Sequence, residues 1–315
     1  MGETVGRFAP TPSGRMHLGN LFCALLAWLS VRAAGGRMIL RVENLDLLRT
    51  SFDYARQMEE DLHFLGLDWD EGGSLGGRNG PYYQSERTPY YEALLGQLTA
   101  QGLVYPCFCS RAQLHAAQAP HTADGEVVYS GACRGLSQAE REARAKTRPP
   151  ALRLRVPAQT VSLTDGHYGP YRQRLDTQCG DFILRRSDGV FAYQLAVVAD
   201  DAAMGVTQVV RGRDLLSSTP RQIYLFHLLG FQPPAFIHTP LLLAADGRRL
   251  SKRDGDLDLD GLRRRGYTGP EIVGRLAFLA GLLDRPEPVR PGELIDRFSW
   301  EKVPLENICL PQGLF

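Results

Sequence analysis

The stretch Arg7-Phe8-Ala9-Pro10-Thr11-Pro12-Ser13-Gly14-Arg15-Met16-His17-Leu18-Gly19-Asn20 decides the reading of this chain. A short apolar strand, Val5 to Ala9, leads into it and breaks on two prolines and a glycine. An Ala/Leu-rich helix then starts at Leu18 and stops at Gly35-Gly36. Strand, turn and helix in that order build an α/β sheet. A helix that begins at the end of a buried strand points its unpaired N–H groups and the positive end of its dipole into the crevice beyond the sheet, which suits a phosphate. Gly19 has no Cβ, so a base or ribose can lie flat against the first helical turn. A lone His-x-Gly reads more simply as a polar helix start beside a packing glycine; the full fourteen residues shift the balance toward a ligand site.

Composition sets the outer bounds. With 43% hydrophobic and 23% charged residues over 315 positions, the chain can bury one large α/β core with smaller appendages. Neither a signal peptide nor an apolar run of the roughly 18 residues needed for a membrane span is visible, so a cytoplasmic protein without membrane contact is expected. A formal net charge of +1 gives no hint of nucleic acid. Basic clusters at Arg141, Arg144, Lys146, Arg148 and at Arg263-Arg264-Arg265 are ordinarily solvated helix faces. Six scattered cysteines imply reduced thiols rather than a disulfide framework. No Walker loop and no G-x-G-x-x-G fingerprint occurs, which removes the usual anchors of P-loop and dinucleotide readings.

Further along, a second strand, Met38 to Val42, delivers Glu43-Asn44-Leu45-Asp46 to its carboxyl end, where a side chain of a doubly wound sheet faces the ligand crevice. A helix from near Asp53 to Leu65 is capped by Ser51 and stopped by Gly66, and another runs from Thr88-Pro89 to Gly102. The α/β pattern is then interrupted by Cys107-Phe108-Cys109 and, later, Tyr129 and Cys133. Three soft ligands invite zinc, which takes four in structural sites. By chemistry alone His115 and His121 are better fourth ligands than the Tyr129 phenol, whose proton leaves only near pH 10 unless a metal acidifies it. Three unliganded buried cysteines remain the plainer alternative.

Ser137 to Glu140 is a capping box, followed by strands at Leu152 to Val156 and Thr160 to Leu163. Buried strands are expected again at Phe182 to Leu184, through the apolar run Val190 to Asp201, and at Val206 to Gly212. A helix from Thr219-Pro220 to Gly230 precedes the last apolar strand, Phe236 to Leu243, which feeds Arg249-Leu250-Ser251-Lys252-Arg253. A helix from Thr268 to Leu283 and the segment Phe298 to Val303 close the chain.

Taken together these segments resemble class I aminoacyl-tRNA synthetases. His17-Leu18-Gly19-Asn20 stands in the place of their first signature, the "HIGH" tetrad, with Asn20 for its last His; Arg249-Leu250-Ser251-Lys252-Arg253 resembles the second signature, "KMSKS", its first Lys being Arg here. The residues before the tetrad resemble the glutamyl branch. The resemblance implies a Rossmann-type doubly wound parallel sheet in two halves (1–105 and 181–255), an inserted zinc-knuckle subdomain (106–180) and a C-terminal helical region (256–315). It assigns ATP, with Mg²⁺, to His17, Gly19, Asn20, Ser251 and Lys252, with His17 and Lys252 catalytic. It assigns L-glutamate to Arg7, Phe8, Ala9, Pro10, Thr11, Glu43, Tyr193 and Arg211, and puts Tyr129 with Cys107, Cys109 and Cys133 around one structural zinc. Asn44 and Val197 depart from the pattern, where full-length glutamyl enzymes usually have Asp and Asn.

Physically, a glutamate pocket must compensate a side-chain carboxylate, and Arg211 with Arg7 can do so through charge-assisted bonds that glutamine's neutral amide would lose. The chain stops at Phe315, where ordinary glutamyl enzymes continue into an anticodon-binding region. The expectation is therefore the short glutamyl group that activates glutamate without tRNA and attaches it to the queuosine base of tRNA(Asp), acting as a monomer. Competing readings are a truncated acceptor-charging glutamyl enzyme and a non-catalytic tRNA-binding paralogue.

Overall fold

The computed structural model describes residues 2–110, 113, 128–250 and 257–315. The chain begins β1 (Val5–Phe8), α1 (Leu18–Ala33), β2 (Arg37–Leu40), α2 (Phe52–Phe64), β3 (Glu71–Gly72) and α3 (Thr88–Ala100). An insertion follows, with β4 (Val104–Cys107), α4 (Gln138–Ala145), β5 (Ala151–Leu154), β6 (Thr160–Asp165), β7 (Gly169–Arg174), α5 (Leu175–Gln178) and β8 (Ile183–Arg185). The remainder is α6 (Tyr193–Ala203), β9 (Gln208–Gly212), α7 (Thr219–Leu228), β10 (Ala235–Thr239), β11 (Leu242–Leu243), α8 (Leu259–Arg264), α9 (Gly269–Leu279) and β12 (Ile308–Cys309).

Five strands form one parallel sheet in the order β10-β9-β1-β2-β3. The first half winds from β1 out to β2 and β3; the second returns to β9 on the other side of β1 and continues to β10. Winding therefore reverses between β1 and β9, and a ligand crevice opens at the carboxyl ends of strands at such a reversal. The insertion carries its own antiparallel sheet, β4-β5-β8, and the hairpin β6-β7. The hairpin turn docks on the main sheet, where the Gly166 N–H donates to the Phe236 carbonyl at 2.9 Å.

The position of α1 follows from its composition. A helix apolar on nearly every side must be covered on every side. Leu18, Leu21, Leu25 and Leu29 are buried in one cluster with Leu62 of α2, Leu262 of α8 and Leu276 of α9. Gly6 lets β1 approach this helix, since a Cβ there would stand 2.2 Å from Cγ2 of Val31. The opposite side of the sheet is covered by α3, α6 and α7 through Tyr91, Leu98, Leu195, Val198 and Phe226. The helix starts follow the expected chemistry: Ser51 accepts from the Asp53 N–H, and reciprocal capping boxes form at Ser137/Glu140 and Thr268/Glu271.

Two expectations are corrected. The run Val190 to Asp201 is not a strand: from Tyr193 to Ala203 it is the helix α6, with Leu195 to Asp201 buried. A short apolar run carries no period by which strand and buried helix can be told apart. Phe298 to Val303 is not helical either; it follows a 3₁₀ turn at Pro291–Arg297 as loop and turn, and leads on to β12, which pairs with β11. No helix among the described residues is long and apolar enough to cross a membrane.

Candidate active site

At the reversal of winding lies a cavity of about 670 Å³, within the roughly 300–1,000 Å³ typical of small-molecule sites. Residues Arg7 to Thr11, with His17, Gly19, Asn20, Glu43, Tyr193 and Arg211, all line it, as do Arg249 and Leu250. Ser251 and Lys252 lie outside the described residues.

His17 is the N-cap of α1. Its Nδ1 accepts the Gly19 N–H at 3.1 Å, while the Asn20 Oδ1 accepts the His17 N–H at 3.2 Å. An Nδ1 that accepts leaves the ring proton on Nε2. Asn20, the departure from the tetrad, thus closes a capping box and fixes the turn. His17 also makes an antiparallel bridge with Asp258, and the Leu259 N–H donates to the Met16 carbonyl at 3.3 Å. Arg249 and Leu250, the described start of the KMSKS-like stretch, therefore sit at the cavity wall, and Asp258 and Leu259 beyond it pack against the His17 turn.

The other end of the cavity is charged and lined by buried side chains. Arg7 and Arg211 are both buried, at 5% and 4% exposure, beside the half-buried Tyr193. The Arg7 Nη1 donates to the Val210 carbonyl at 3.2 Å, and its Nε lies 3.5 Å from Asp201 without a hydrogen-bond partner. Arg211 donates from Nη1 to the Tyr193 hydroxyl at 3.3 Å. Burial lowers the Arg211 pKa, only partly offset by Tyr193. Two buried guanidiniums on one cavity favour an anion there.

Glu43 faces the same space. Its Oε1 accepts from Arg41 Nη2 at 3.2 Å, and burial raises its pKa against the opposing pull of Arg41 and Arg7. Behind it, Arg41 is fully buried and donates to Asp201 at 2.6 Å. Burial alone would lower the Arg41 pKa, but Asp201, Asp200 and Glu43 outweigh it and raise it. Asp200 in turn accepts from Arg87 at 2.5 Å, Gln84 at 2.7 Å and the Tyr91 hydroxyl at 2.9 Å. This network was missed by the sequence reading. Its trace was available: two adjacent acids, Asp200-Asp201, end an apolar run and must find cations once buried.

In the insertion, Cys107, Cys109 and Cys133 have their sulfurs within 4.8 Å of one another. Tyr129 stands with them: its hydroxyl is 3.5 Å from the Cys107 Sγ and 3.8 Å from the Cys109 Sγ, and it accepts the Cys133 N–H at 2.8 Å. Burial and the neighbouring Cys107 push the Cys109 thiol up to about 11, and burial raises the Tyr129 phenol above its ordinary value. Such a set of donors gives up its protons to a cation. His115 and His121 lie outside the described residues.

Residues 3–284 match the sequence profile of the tRNA synthetases class I (E and Q), catalytic domain. The chain is 54% identical to the glutamyl-Q tRNA(Asp) synthetase of Symbiobacterium thermophilum, covering 97% of this chain and 95% of that protein. It is 49% identical to the protein of that name from Nitratidesulfovibrio vulgaris, covering 98% and 96%. Among solved structures it is similar to a glutamate tRNA ligase from Elizabethkingia meningosepticum in complex with its amino acid, with a TM-score of 0.81 and 30% identity. That likeness covers 96% of this chain and 66% of the ligase. The chain belongs to the class I aminoacyl-tRNA synthetases of the glutamyl and glutaminyl branch, a family of ligases.

Proposed function

We propose that this chain activates L-glutamate with Mg²⁺-ATP and transfers it to the queuosine base of tRNA(Asp). In the first step the α-carboxylate attacks the α-phosphate, the bond to the bridging oxygen of the β-phosphate breaks, and pyrophosphate leaves. A queuosine hydroxyl then attacks the glutamyl carbonyl and AMP departs. The protein contributes positioning and charge. His17, Gly19 and Asn20 form the turn that receives ATP, and Ser251 and Lys252 are assigned to the triphosphate, the Lys252 cation offsetting the negative charge that grows there. Phe8 to Thr11 form the wall beside the amino acid. Glu43 takes its ammonium, and Arg7 and Arg211 take its side-chain carboxylate next to Tyr193.

One observation carries this reading: a single cavity at the sheet's switch point gathers the first signature, the chain entering the second, and two buried guanidiniums facing a buried carboxyl. The queuosine acceptor rests on relatives of that name aligned over nearly their full length. A structural zinc on Cys107, Cys109, Cys133 and Tyr129 completes the reading. The Cys109–Cys133 sulfur separation of 3.6 Å supports it, being close to the about 3.8 Å edge of a tetrahedron with zinc–sulfur bonds of about 2.3 Å. When bound, the ion would tie the ends of the insertion's loop into one knot.

The similarity to a glutamate tRNA ligase favours a second reading, charging of an acceptor end. Labelled glutamate supplied with ATP and purified tRNA separates them. The proposal expects label on tRNA(Asp) that carries queuosine and none on tRNA(Asp) lacking it. Efficient charging of tRNA(Glu) ends instead would overturn it.

A further inference from the structure

We propose that Asp165 and His238 form a positioning pair that aims the guanidinium of Arg211 at the amino acid, and so sets the preference for a side-chain carboxylate. This rests on the reading of Arg211 given above. Asp165 ends β6 at the turn of the inserted hairpin, and its side chain is wholly buried. The Oδ1 accepts three backbone N–H groups, from His167 at 3.0 Å, Tyr168 at 2.9 Å and His238 at 3.2 Å. The Oδ2 lies 2.6 Å from the His238 Nδ1. As an acceptor-only carboxylate it holds the ring proton on Nδ1. The His238 Nε2 is then an acceptor, and the Arg211 Nε–H donates to it at 3.1 Å.

The arrangement requires a neutral ring, because an imidazolium would set N–H against N–H. Burial, helped by Arg211, lowers the His238 pKa to about 4, although Asp165 pulls the other way. The Arg211 Nη2 is occupied by Thr219 Oγ1 at 2.8 Å and the Leu215 carbonyl at 3.4 Å. Nε and Nη2 thus belong to the protein, and only Nη1 remains, with one N–H on Tyr193 and one for a ligand. A guanidinium is planar with fixed donor directions, so anchoring one edge dictates where the last donor points. His238 supplies half of that anchor. The pair also couples the hairpin of the insertion to the amino-acid end of the cavity, a link that neither signature motif carries.

Asp165→Asn tests the pair with almost no change of shape. Three N–H donors keep the amide oxygen on the Oδ1 side, so the amide nitrogen faces the His238 Nδ1. The ring must then accept at Nδ1 and carry its proton at Nε2, against the Arg211 N–H. The expected result is a glutamate KM raised about tenfold to a hundredfold, the consequence of one buried donor left without an acceptor. The ATP KM should stay nearly constant, and discrimination against glutamine should fall. His238→Asn keeps only the contact to Asp165 and should behave alike; His238→Gln returns an acceptor near the Nε2 position and should recover most of the loss. A wild-type glutamate KM in Asp165→Asn and His238→Asn would overturn the pairing. So would equal losses for both substrates with a lowered melting temperature in all three variants, since that is the signature of structure alone. Arg211→Ala separates the two levels. Unchanged discrimination there sinks the amino-acid reading itself; lost discrimination there, with Asp165→Asn unaffected, sinks only the pair.

Discussion

Glu43 is a carboxyl whose burial raises its pKa, and in the proposed reading it receives the ammonium group of the amino acid. Only the ionised form attracts that ammonium, so lowering the pH must weaken glutamate binding, and a raised pKa moves the loss upward from the ordinary value of about 4.3. The glutamate KM should therefore climb on acidification before free carboxyl groups titrate. In Glu43→Gln the KM should be high and insensitive to pH over the same range. A flat wild-type profile, or the same slope in the variant, would remove Glu43 from the site. Glu43 was legible as a carboxylate at the end of a strand, where a doubly wound sheet presents its ligand contacts; Arg7 and Arg211 were marked only by the family resemblance, and all three line the one cavity. Arg41, Asp201, Asp165 and His238 were not legible. Their meaning lies in partners far along the chain, such as Arg41 with Asp201, and only the fold supplies those.

Elements with strong local chemistry were legible. Helix α1 has an N-cap and a glycine stop, α2 has Ser51, and α4 and α9 have capping boxes, so their starts fall within a residue or two of expectation. Helix α6 was not, because its apolar run is buried on most sides and its start has no side-chain cap. Within the insertion the cysteines, the Ser137 capping box and two of the strands were legible, the strands at Ala151–Leu154 and Thr160–Asp165 lying close to expectation. If Cys107, Cys109, Cys133 and Tyr129 hold zinc, protein purified without chelators should contain about one equivalent by elemental analysis. Removing it should lower the melting temperature and expose the insertion to proteolysis, because the ion's binding energy is part of the folding energy. Zinc-free protein of full stability would contradict the site. Replacing Tyr129 by Phe should weaken retention of the metal; unchanged retention would move the fourth ligand elsewhere.

At the scale of the whole molecule, the central claim is convergence. The β1–α1 turn and the chain leaving β11 are far apart in sequence, yet Leu250 lines the same cavity as His17, and Asp258 bridges to His17 itself. The parallel order β10-β9-β1-β2-β3 brings them together, since β1 lies at the reversal and β10 two places away. Such a site should form glutamyl-adenylate by itself. Glutamate-dependent exchange of labelled pyrophosphate into ATP, measured without any RNA, tests this most directly. The account predicts exchange with glutamate, far less with glutamine, and losses of about a hundredfold or more in His17→Ala and Lys252→Ala, the scale of a preorganised charge contact removed from a transition state. No exchange with glutamate, or exchange that survives both substitutions, would contradict it.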